Sequence, residues 1–220
     1  MIVGAGPAGL TAALELKRRG FSPRIIDKAS GPAGQSRALG VNPRTLEILA
    51  PSGVTDELIA DGNRISRVEM IDDDGHRILA LNVDRLRHQY PFMLILPQSD
   101  TERLLGDALE DLGVTIEWET ELMDVLWHGS QIEATLATAM TSETVEPDIL
   151  IGADGAHSRV REMSRIPFDG ENYLAVFALA DIRYELPRDA TTATIEVFPG
   201  GAVGTFPIDE LTFRHVGTSG

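Results

Sequence analysis

The first candidate site is a glycine-rich loop close to the start of the chain. Residues Gly4 to Gly9 read GAGPAG and fit the pattern G-x-G-x-x-G. Gly4 would permit a tight turn, Gly6 would let backbone approach a pyrophosphate, and Gly9 would let a helix pack close to a sheet. The free amide groups and the dipole at the start of that helix would attract the phosphates. The pattern predicts that Gly4, Gly6, Pro7, Ala8 and Gly9 bind a dinucleotide, with FAD and NAD(H) both open as the ligand.

An acidic residue stands where the second strand of such a motif ends. Asp27 lies 18 residues after Gly9, close to the ~20 residues typical of dinucleotide-binding folds. Its carboxylate would accept hydrogen bonds from ribose hydroxyls and would repel a 2′-phosphate. Lys28, the next residue, is included with it as a predicted cofactor contact. The alternative is a glycine turn in an ordinary α/β sheet, without a ligand.

A second candidate site is the stretch ILIGADGAHSRVR, from Ile149 to Arg161. Its apolar first half predicts a buried parallel strand, and Asp154 stands at the carboxyl end, where α/β sheets bind ligands. Gly155 would let backbone pass near a ligand. Ser158 and Arg161 are three residues apart and would share one face of a following helix. Asp154 and Gly155 therefore stand where a ligand would bind.

Both sites depend on a parallel sheet that brings strand ends together. Residues 1–27 have the pattern strand, glycine turn, helix, strand, which indicates a right-handed parallel βαβ unit. Helical spacing of apolar residues recurs after Ser99 or Asp100, the predicted caps of a longer helix. Most other segments predict strands joined by turns, with two short helices that end at Gly53 and Gly62.

The composition limits the classes of partner and site. The chain has 220 residues, a net charge of −15 and no cysteine. Such an acidic protein repels nucleic acid and anionic lipid, so neither nucleic acid nor a membrane is an expected partner. Disulfides are excluded, and the five histidines form no spaced pair that would bind a metal. The apolar runs are far shorter than the ~20 residues of a membrane-spanning helix, and the N-terminus lacks the pattern of a signal peptide, so we expect a cytoplasmic protein.

Together these motifs resemble the group A flavoprotein monooxygenases. These are the FAD-dependent aromatic hydroxylases related to the p-hydroxybenzoate, phenol and polyketide hydroxylases. The resemblance covers roughly residues 1–165 and includes the glycine loop, Asp27, SRALGVNPRTLEIL, PQSDTERLL and DILIGADGAHSRVR in the family's order. The segment DGAHSRVR fits the family motif D-G-x-x-S-x-x-R at every defined position.

The resemblance implies an α/β fold with two domains. A Rossmann-like FAD-binding domain with a parallel sheet would comprise residues 1–65 and 98–165. It would be interrupted by a mostly antiparallel β substrate domain, residues 66–97 and 166–220. The implied cofactors are FAD and NAD(P)H, and the implied partners are a small aromatic substrate and O2, with hydroxylation of the ring as the reaction.

The resemblance also implies roles for single residues, and it adds Asp154, Gly155, Ser158 and Arg161 to the predicted cofactor contacts. Asp154 would contact the ribityl–pyrophosphate region of FAD, Arg37 would lie near the FAD phosphates or ribose, and Gln98 would contact FAD. Arg161 would pair with backbone or acidic groups and so hold the turn. The alternative for Arg37 is a solvated loop cation, and the alternative for Gln98 is a strand-end hydrogen bond. The family motif leaves the position of His157 free, and we expect that side chain to face solvent.

One element of the family has no match in the sequence. A second flavin-contacting motif of the type G-D-A-x-H does not occur after Gly170, so we expect a fragment of a longer hydroxylase or a degenerate member with weak activity. The alternatives to a hydroxylase are a related flavin enzyme, such as a halogenase or a reductase, and a non-catalytic nucleotide-binding module. The sequence assigns neither the catalytic residues nor the oligomeric state.

Overall fold

The chain forms two compact units. The computed structural model describes residues 1–32, 34, 38–170 and 176–219. The first unit consists of Met1–Gln35 and Ser99–Gly170, and the second of Ser36–Gln98 and Glu171–Gly220. None of the helices in the described residues has the length and apolar character needed to cross a membrane.

The helices and strands of the described residues are named in chain order. The helices are α1 (Pro7–Arg18), α2 (Pro43–Leu49), α3 (Val54–Asp61), α4 (Gln98–Asp111) and α5 (Arg159–Met163). The strands are β1 (Ile2–Val3), β2 (Ile25–Ile26), β3 (Gly40–Val41), β4 (Asn63–Ile65), β5 (Arg67–Asp72), β6 (Arg77–Asn82), β7 (Met93–Ile95), β8 (Ile116–Glu117), β9 (Glu121–His128), β10 (Gln131–Ala137), β11 (Ser142–Val145), β12 (Ile151–Gly152), β13 (Val176–Arg183), β14 (Thr192–Phe198), β15 (Gly201–Pro207) and β16 (Thr212–Ser219).

The first unit contains the predicted parallel sheet, with the strand order β12-β1-β2-β8. Strand β1 pairs in parallel with both β2 and β12, so the βαβ unit predicted over residues 1–27 is confirmed. Between β1 and β2, helix α1 buries Leu10 and Leu14. The helix carries Lys17 and Arg18 in its last turn, where cations interact favourably with the helix dipole.

A second, antiparallel sheet packs on the parallel one. Its strand order is β11-β10-β9, and its inner side chains share a core with β1 and β2. Helix α5 packs on β12 so closely that a Cβ at Gly152 would lie 2.8 Å from the Cβ of Val160. This packing fixes the loop between β12 and α5, which carries Asp154. The buried residues of the shared core are Val3, Ile26, Leu122, Val125, Ala134 and Leu136.

The second unit is built mainly from antiparallel strands. Its large sheet has the order β13-β16-β15-β14-β5-β6, in which β14 and β5 are parallel and the other described pairs are antiparallel. A smaller antiparallel sheet has the order β3-β7-β4. Leu39, Ile65, Ile95 and Ala193 form the buried core between them. The α/β class with a parallel sheet and antiparallel sheets is as predicted.

The compact units and the predicted domains differ at Gln98, at residues 166–170 and, most extensively, in one segment of the first half of the chain. Residues 36–65 lie in the second compact unit, whereas the predicted FAD-binding domain includes them. Within this segment, β3 and β4 pair with β7 of the same unit. The assignment of one domain to FAD and the other to substrate stays a prediction.

Two local predictions are wrong. Helix α4 begins at Gln98, so Ser99 and Asp100 lie inside its first turn instead of capping it. The strand before Asp154 is not buried, because β12 ends the described parallel sheet and pairs with β1 alone. Ile149, just before that strand, is 67% exposed.

Candidate cofactor site

Two glycines of the loop are required by packing within the protein. Gly4 has a φ of +103°, and a Cβ there would lie 2.6 Å from the carbonyl carbon of Ala153 and 2.8 Å from the amide nitrogen of Asp154. A Cβ at Gly9 would overlap the carbonyl oxygen of Gly4 and lie 3.3 Å from the Cβ of Ala153. The glycine loop, the start of α1 and the end of β12 therefore touch one another directly, in agreement with the tight turn and close packing predicted for Gly4 and Gly9.

The middle glycine has a different environment. A Cβ at Gly6 would meet no described atom within 4 Å, and the backbone there has a φ of −74°, which any residue can adopt. Packing of the protein therefore does not require glycine at this position, whereas close approach of a ligand would. None of the described side chains caps the start of α1 at Gly6, so the first amides of the helix are suited to an anionic ligand.

Asp27 holds the glycine loop in place. Its Oδ2 accepts a hydrogen bond from the amide of Ala5 at 2.7 Å, and its Oδ1 accepts one from the amide of Ala29 at 2.8 Å. A carboxylate has about four acceptor positions, so both oxygens can also accept hydrogen bonds from ribose hydroxyls. The sequence pattern predicts the ribose contact of Asp27, but it does not reveal the hydrogen bonds to the amides of Ala5 and Ala29.

Asp154 and Ser158 together cap helix α5. Asp154 accepts from the Ser158 hydroxyl at 2.5 Å with Oδ1, and from the amides of Arg159 at 2.6 Å and Val160 at 3.2 Å with Oδ2. Ser158 Oγ in turn accepts from the amide of Arg161 at 3.1 Å. Ser158 is buried. These bonds satisfy helix-start amides that otherwise have no acceptor, and they fix the Asp154 carboxylate in one orientation.

Arg161 contacts the loop between β12 and α5 with its side chain. Its Nη2 donates to the carbonyl oxygen of Ala156 at 2.9 Å, and its guanidinium lies 4.3 Å from the ring centre of Phe168. The expected pairing of Arg161 with backbone is therefore present. Arg161 positions the loop between Gly155 and His157.

These elements enclose a cleft of about 310 Å³ in the first unit. Asp27 and Asp154 both line it, so the two predicted acidic residues border one shared space. Ligand sites of this type have volumes of roughly 300–1,000 Å³. The residues lining the cleft are Val3, Gly4, Gly6, Asp27, Lys28, Thr120, Glu121, Leu122, Ala153, Asp154, Gly155, His157 and Arg159.

The cleft brings together six of the predicted cofactor contacts. The six are Gly4, Gly6, Asp27, Lys28, Asp154 and Gly155. Five others, Pro7, Ala8, Gly9, Ser158 and Arg161, lie in the flanking helix starts and are not among the lining residues. Gln98 belongs to the second compact unit, and Arg37 lies outside the described residues. Cofactor contact stays a prediction for every residue in these three groups.

Sequence reasoning missed several residues of the cleft. Thr120 ends the connection between β8 and β9, Glu121 and Leu122 begin β9, and no short motif marks these three residues. His157 and Arg159 stand at positions of the second motif that any residue can occupy, and neither was among the predicted cofactor contacts. His157 is exposed, as expected, and also lines the cleft.

The chemistry of the cleft fits a dinucleotide. The helix-start amides can bind phosphate, and the carboxylates of Asp27 and Asp154 can accept hydrogen bonds from hydroxyl groups. Lys28 offers a positive charge, and the charge of Arg159 is shared with Glu162 in an ion pair. The open space at Gly6 lets a ligand reach the backbone. Within the described residues no cluster of acidic or histidine side chains could hold a metal ion.

Removal of the Ser158 hydroxyl from the cap of α5 is expected to lower the stability of the protein. Ser158→Ala removes one donor to Asp154 and one acceptor for the Arg161 amide, and we expect it to lower the free energy of unfolding by about 1 kcal/mol. Urea denaturation monitored by circular dichroism measures this difference. Ser158→Thr, which keeps the hydroxyl, should recover most of it. An unchanged midpoint for Ser158→Ala would show that the cap contributes nothing to stability.

Comparison with known proteins extends these observations. A family model described as an FAD binding domain matches residues 1–212. The 6-methylpretetramide 4-monooxygenase of Streptomyces rimosus is 44% identical over 164 residues, which are 74% of this chain and 29% of that protein. The pentachlorophenol 4-monooxygenase of Sphingobium chlorophenolicum is 35% identical over 175 residues, 79% of this chain and 32% of that protein.

The fold also matches that of solved structures. The crystal structure of p-nitrophenol 4-monooxygenase PnpA from Pseudomonas putida DLL-E4 has a TM-score of 0.88 to this chain at 21% identity, and the match covers 98% of this chain and 56% of that one. The chain spans about a third of the length of the two curated relatives.

Proposed function

Because the chain belongs to the FAD-binding domain family of the FAD-dependent aromatic hydroxylases, we propose that it binds FAD and serves the hydroxylation of an aromatic or polyketide-type substrate with NAD(P)H and O2. The observation that carries the proposal is the shared cleft lined by Gly6, Asp27 and Asp154. The relatives named above are monooxygenases of 6-methylpretetramide and pentachlorophenol, which supports a ring compound as substrate.

The proposed contacts of FAD follow from the chemistry of the cleft. The amides at the start of α1, around Gly6, bind the pyrophosphate, and Asp27 accepts hydrogen bonds from the ribose hydroxyls. Asp154 and the backbone at Gly155 hold the ribityl–pyrophosphate region. Lys28 adds a positive charge at the rim. Bound FAD supplies the redox chemistry between NAD(P)H and O2.

The remaining parts of the proposal concern the domains and the partners. Residues 1–65 and 98–165 hold FAD, with Arg37 and Gln98 as further contacts. Residues 66–97 and 166–220 bind the substrate. The partners are a small aromatic compound and O2, and the location is cytoplasmic.

The first test is binding of FAD by the purified chain. We expect the chain to retain a flavin absorbance spectrum after gel filtration with FAD, and to bind FAD at least about tenfold more tightly than FMN, since FMN lacks the adenosine half that Asp27 would bind. Equilibrium dialysis with each flavin gives the two dissociation constants. A colourless protein that takes up neither flavin contradicts the proposal and favours a module that does not bind flavin.

The second test separates a hydroxylase from other flavin enzymes. Oxidation of NADH and of NADPH by the FAD-loaded chain is followed by absorbance, with and without added phenols. A hydroxylase consumes the nicotinamide faster when an aromatic substrate is present. Oxidation that phenols leave unchanged, together with FAD binding, favours a reductase.

A further inference from the structure

The first unit contains a second cavity, which shares no lining residue with the cofactor cleft. Its volume is about 650 Å³, within the range of roughly 300–1,000 Å³ that is usual for ligand sites. Strand β9 and the C-terminal end of helix α5 border it, and we call it the α5–β9 cavity. Its lining residues include Val125 and Trp127 of β9, Met163 at the end of α5, and Arg165.

The buried part of the cavity wall is apolar. Val125 belongs to the core that β9 shares with the parallel sheet, and Met163 packs against the same core. Trp127 lies two residues after Val125 and therefore points to the same face of β9. Ile132, which is paired with Trp127 on β10, also packs against this core. A ligand in the α5–β9 cavity would therefore contact hydrocarbon and an indole ring.

The protein covers the ring of Trp127 only in part. This residue is 43% exposed, although tryptophan side chains are largely buried on average. An indole ring in the wall of a cavity presents a flat surface on which another ring can stack. The position of Trp127 therefore favours a planar ligand.

Arg165 brings a positive charge to the same cavity. Two arginines of α5 have partners, since Arg159 pairs with Glu162 and Arg161 donates to the carbonyl oxygen of Ala156. In contrast, none of the described residues forms an ion pair or a side-chain hydrogen bond with Arg165. A guanidinium without a carboxylate partner is suited to an anion, even in a chain with a net charge of −15.

The backbone of Arg165 has a conformation that favours glycine. Its φ is +53°, and it ends α5 in a Schellman motif, in which the amide of Arg165 donates to Glu162 at 3.0 Å and that of Ile166 to Arg161 at 3.1 Å. Glycine is the usual residue at this position because an L side chain is strained there. Strained residues cluster at ligand sites, which points to a role of the Arg165 side chain beyond ending the helix.

The other polar groups of the cavity are engaged within the protein. Asp124 also lines it, but this residue precedes Val125, so its side chain points to the opposite face of β9. Its Oδ1 accepts a hydrogen bond from the amide of Val125 at 2.9 Å. The carbonyl oxygen of Val160 accepts from the amide of Ser164 at 2.9 Å and from its hydroxyl at 2.6 Å. Arg165 is thus the charged side chain best placed to contact a ligand.

We propose that the α5–β9 cavity binds a planar aromatic carboxylate, with its ring against Trp127 and its carboxylate on Arg165. Arginine can bind a carboxylate through two parallel hydrogen bonds, and burial of the ring against the apolar wall adds a hydrophobic contribution. This site is separate from the cofactor cleft and does not require FAD.

The test compares two probes that share a ring system and differ in charge. The 220-residue chain is dialysed against 2-naphthoate and, separately, against 2-naphthol, with and without saturating FAD. We expect 2-naphthoate to bind at least about tenfold more tightly than 2-naphthol, and FAD to change its dissociation constant by less than about twofold.

Variants of two residues locate the binding site. Arg165→Gly removes the cation and relieves the backbone strain, so we expect about tenfold weaker binding of 2-naphthoate and a urea midpoint at or above that of the wild type. Arg165→Lys keeps the charge and should bind within about threefold of the wild type. Trp127→Ala should weaken binding of both probes about tenfold. Arg19→Gln removes an exposed cation of the same unit and serves as the control, with binding within about twofold.

The higher stability expected for Arg165→Gly means that a folding defect cannot explain its loss of binding. Uptake of neither probe, equal or tighter binding of 2-naphthol, competition between 2-naphthoate and FAD, or undiminished binding in Arg165→Gly overturns the inference. Uptake of 2-naphthoate without uptake of FAD supports the α5–β9 cavity and contradicts the proposed function. Uptake of FAD without uptake of 2-naphthoate overturns the inference and leaves the proposed function standing.

Discussion

Gly9→Ala is expected to lower the free energy of unfolding by about 3 kcal/mol or more. The added Cβ would overlap the carbonyl oxygen of Gly4, lie 3.0 Å from its carbonyl carbon and press on Ala153. A shift of Gly4 cannot relieve this clash, because the amide of Gly4 donates a hydrogen bond to the carbonyl oxygen of Ile26 at 2.9 Å. Gly4 also has a backbone conformation that needs glycine. Moving α1 away would open the contact between the helix and the strands beneath it.

Gly6→Ala is the matched control, in the same loop and with the same added methyl group. No described atom lies within 4 Å of its Cβ, so we expect a loss of stability of at most about 1 kcal/mol, from alanine replacing glycine at the start of α1. We expect an FAD affinity about tenfold weaker. Guanidinium denaturation of the unliganded chain measures stability, and equilibrium dialysis measures FAD binding. Equal stability of Gly9→Ala and the wild type would contradict the packing argument. Unchanged FAD affinity in Gly6→Ala would contradict the location of the pyrophosphate.

The parts of the cleft that the sequence predicts are those whose geometry is local. The glycine loop, the helix after it and Asp27 lie within 27 residues, and the geometry they need leaves few alternatives to glycine. The second motif is also short, which is why Asp154, Gly155 and Ser158 could be identified together. Their local bonds, within α5 and its loop, depend on residues at most six positions apart.

The parts that the sequence does not predict depend on contacts between distant segments. Thr120 and Leu122 reach the cleft because β8 pairs with β2, about 90 residues earlier in the chain. Periodicity predicts that β5 and β14 are strands but not that they pair in parallel across more than 120 residues. The exposure of Ile149 also depends on distant contacts. It precedes β12, which lies at the edge of the described parallel sheet, and the position of a strand in its sheet is set by its partners and not by its own composition.

The double role of Asp27 illustrates a limit of motif reading. The pattern assigns its carboxylate to a ribose, but the structure adds hydrogen bonds to the amides of Ala5 and Ala29. A change at Asp27 would therefore loosen the loop as well as remove a ligand contact. For this reason a substitution at Gly6, where an added Cβ would touch no described atom, tests ligand binding separately from folding better than a substitution at Asp27 does.

Asp181→Asn is expected to destabilise the second unit by about 2–3 kcal/mol at neutral pH. Arg214 is buried, and the carboxylate of Asp181 accepts hydrogen bonds from its Nε and its Nη2. An asparagine amide can accept one of them and turns an N–H group towards the guanidinium, and the negative charge that faces this buried guanidinium is lost. The expected loss of stability is smaller than that for breaking a fully buried ion pair, because 41% of the Asp181 side chain is exposed to solvent. Asp73→Asn, in an exposed turn of the same unit, serves as the control and should change stability little.

The pH dependence gives this prediction a second readout. The hydrogen bonds from Arg214 lower the pKa of Asp181 below its ordinary value of 3.8, against the opposing effect of desolvation. A lowered pKa in the folded state means that the pair stabilises the protein fully above pH 3.8 and that this contribution disappears as the pH falls through the folded-state value. The stability difference between the wild type and Asp181→Asn should therefore be constant near neutral pH and shrink in acid, as measured by urea denaturation from pH 7 to the lowest pH at which the wild type folds. A difference that stays constant into acid would mean that shape, and not charge, makes Asp181 necessary.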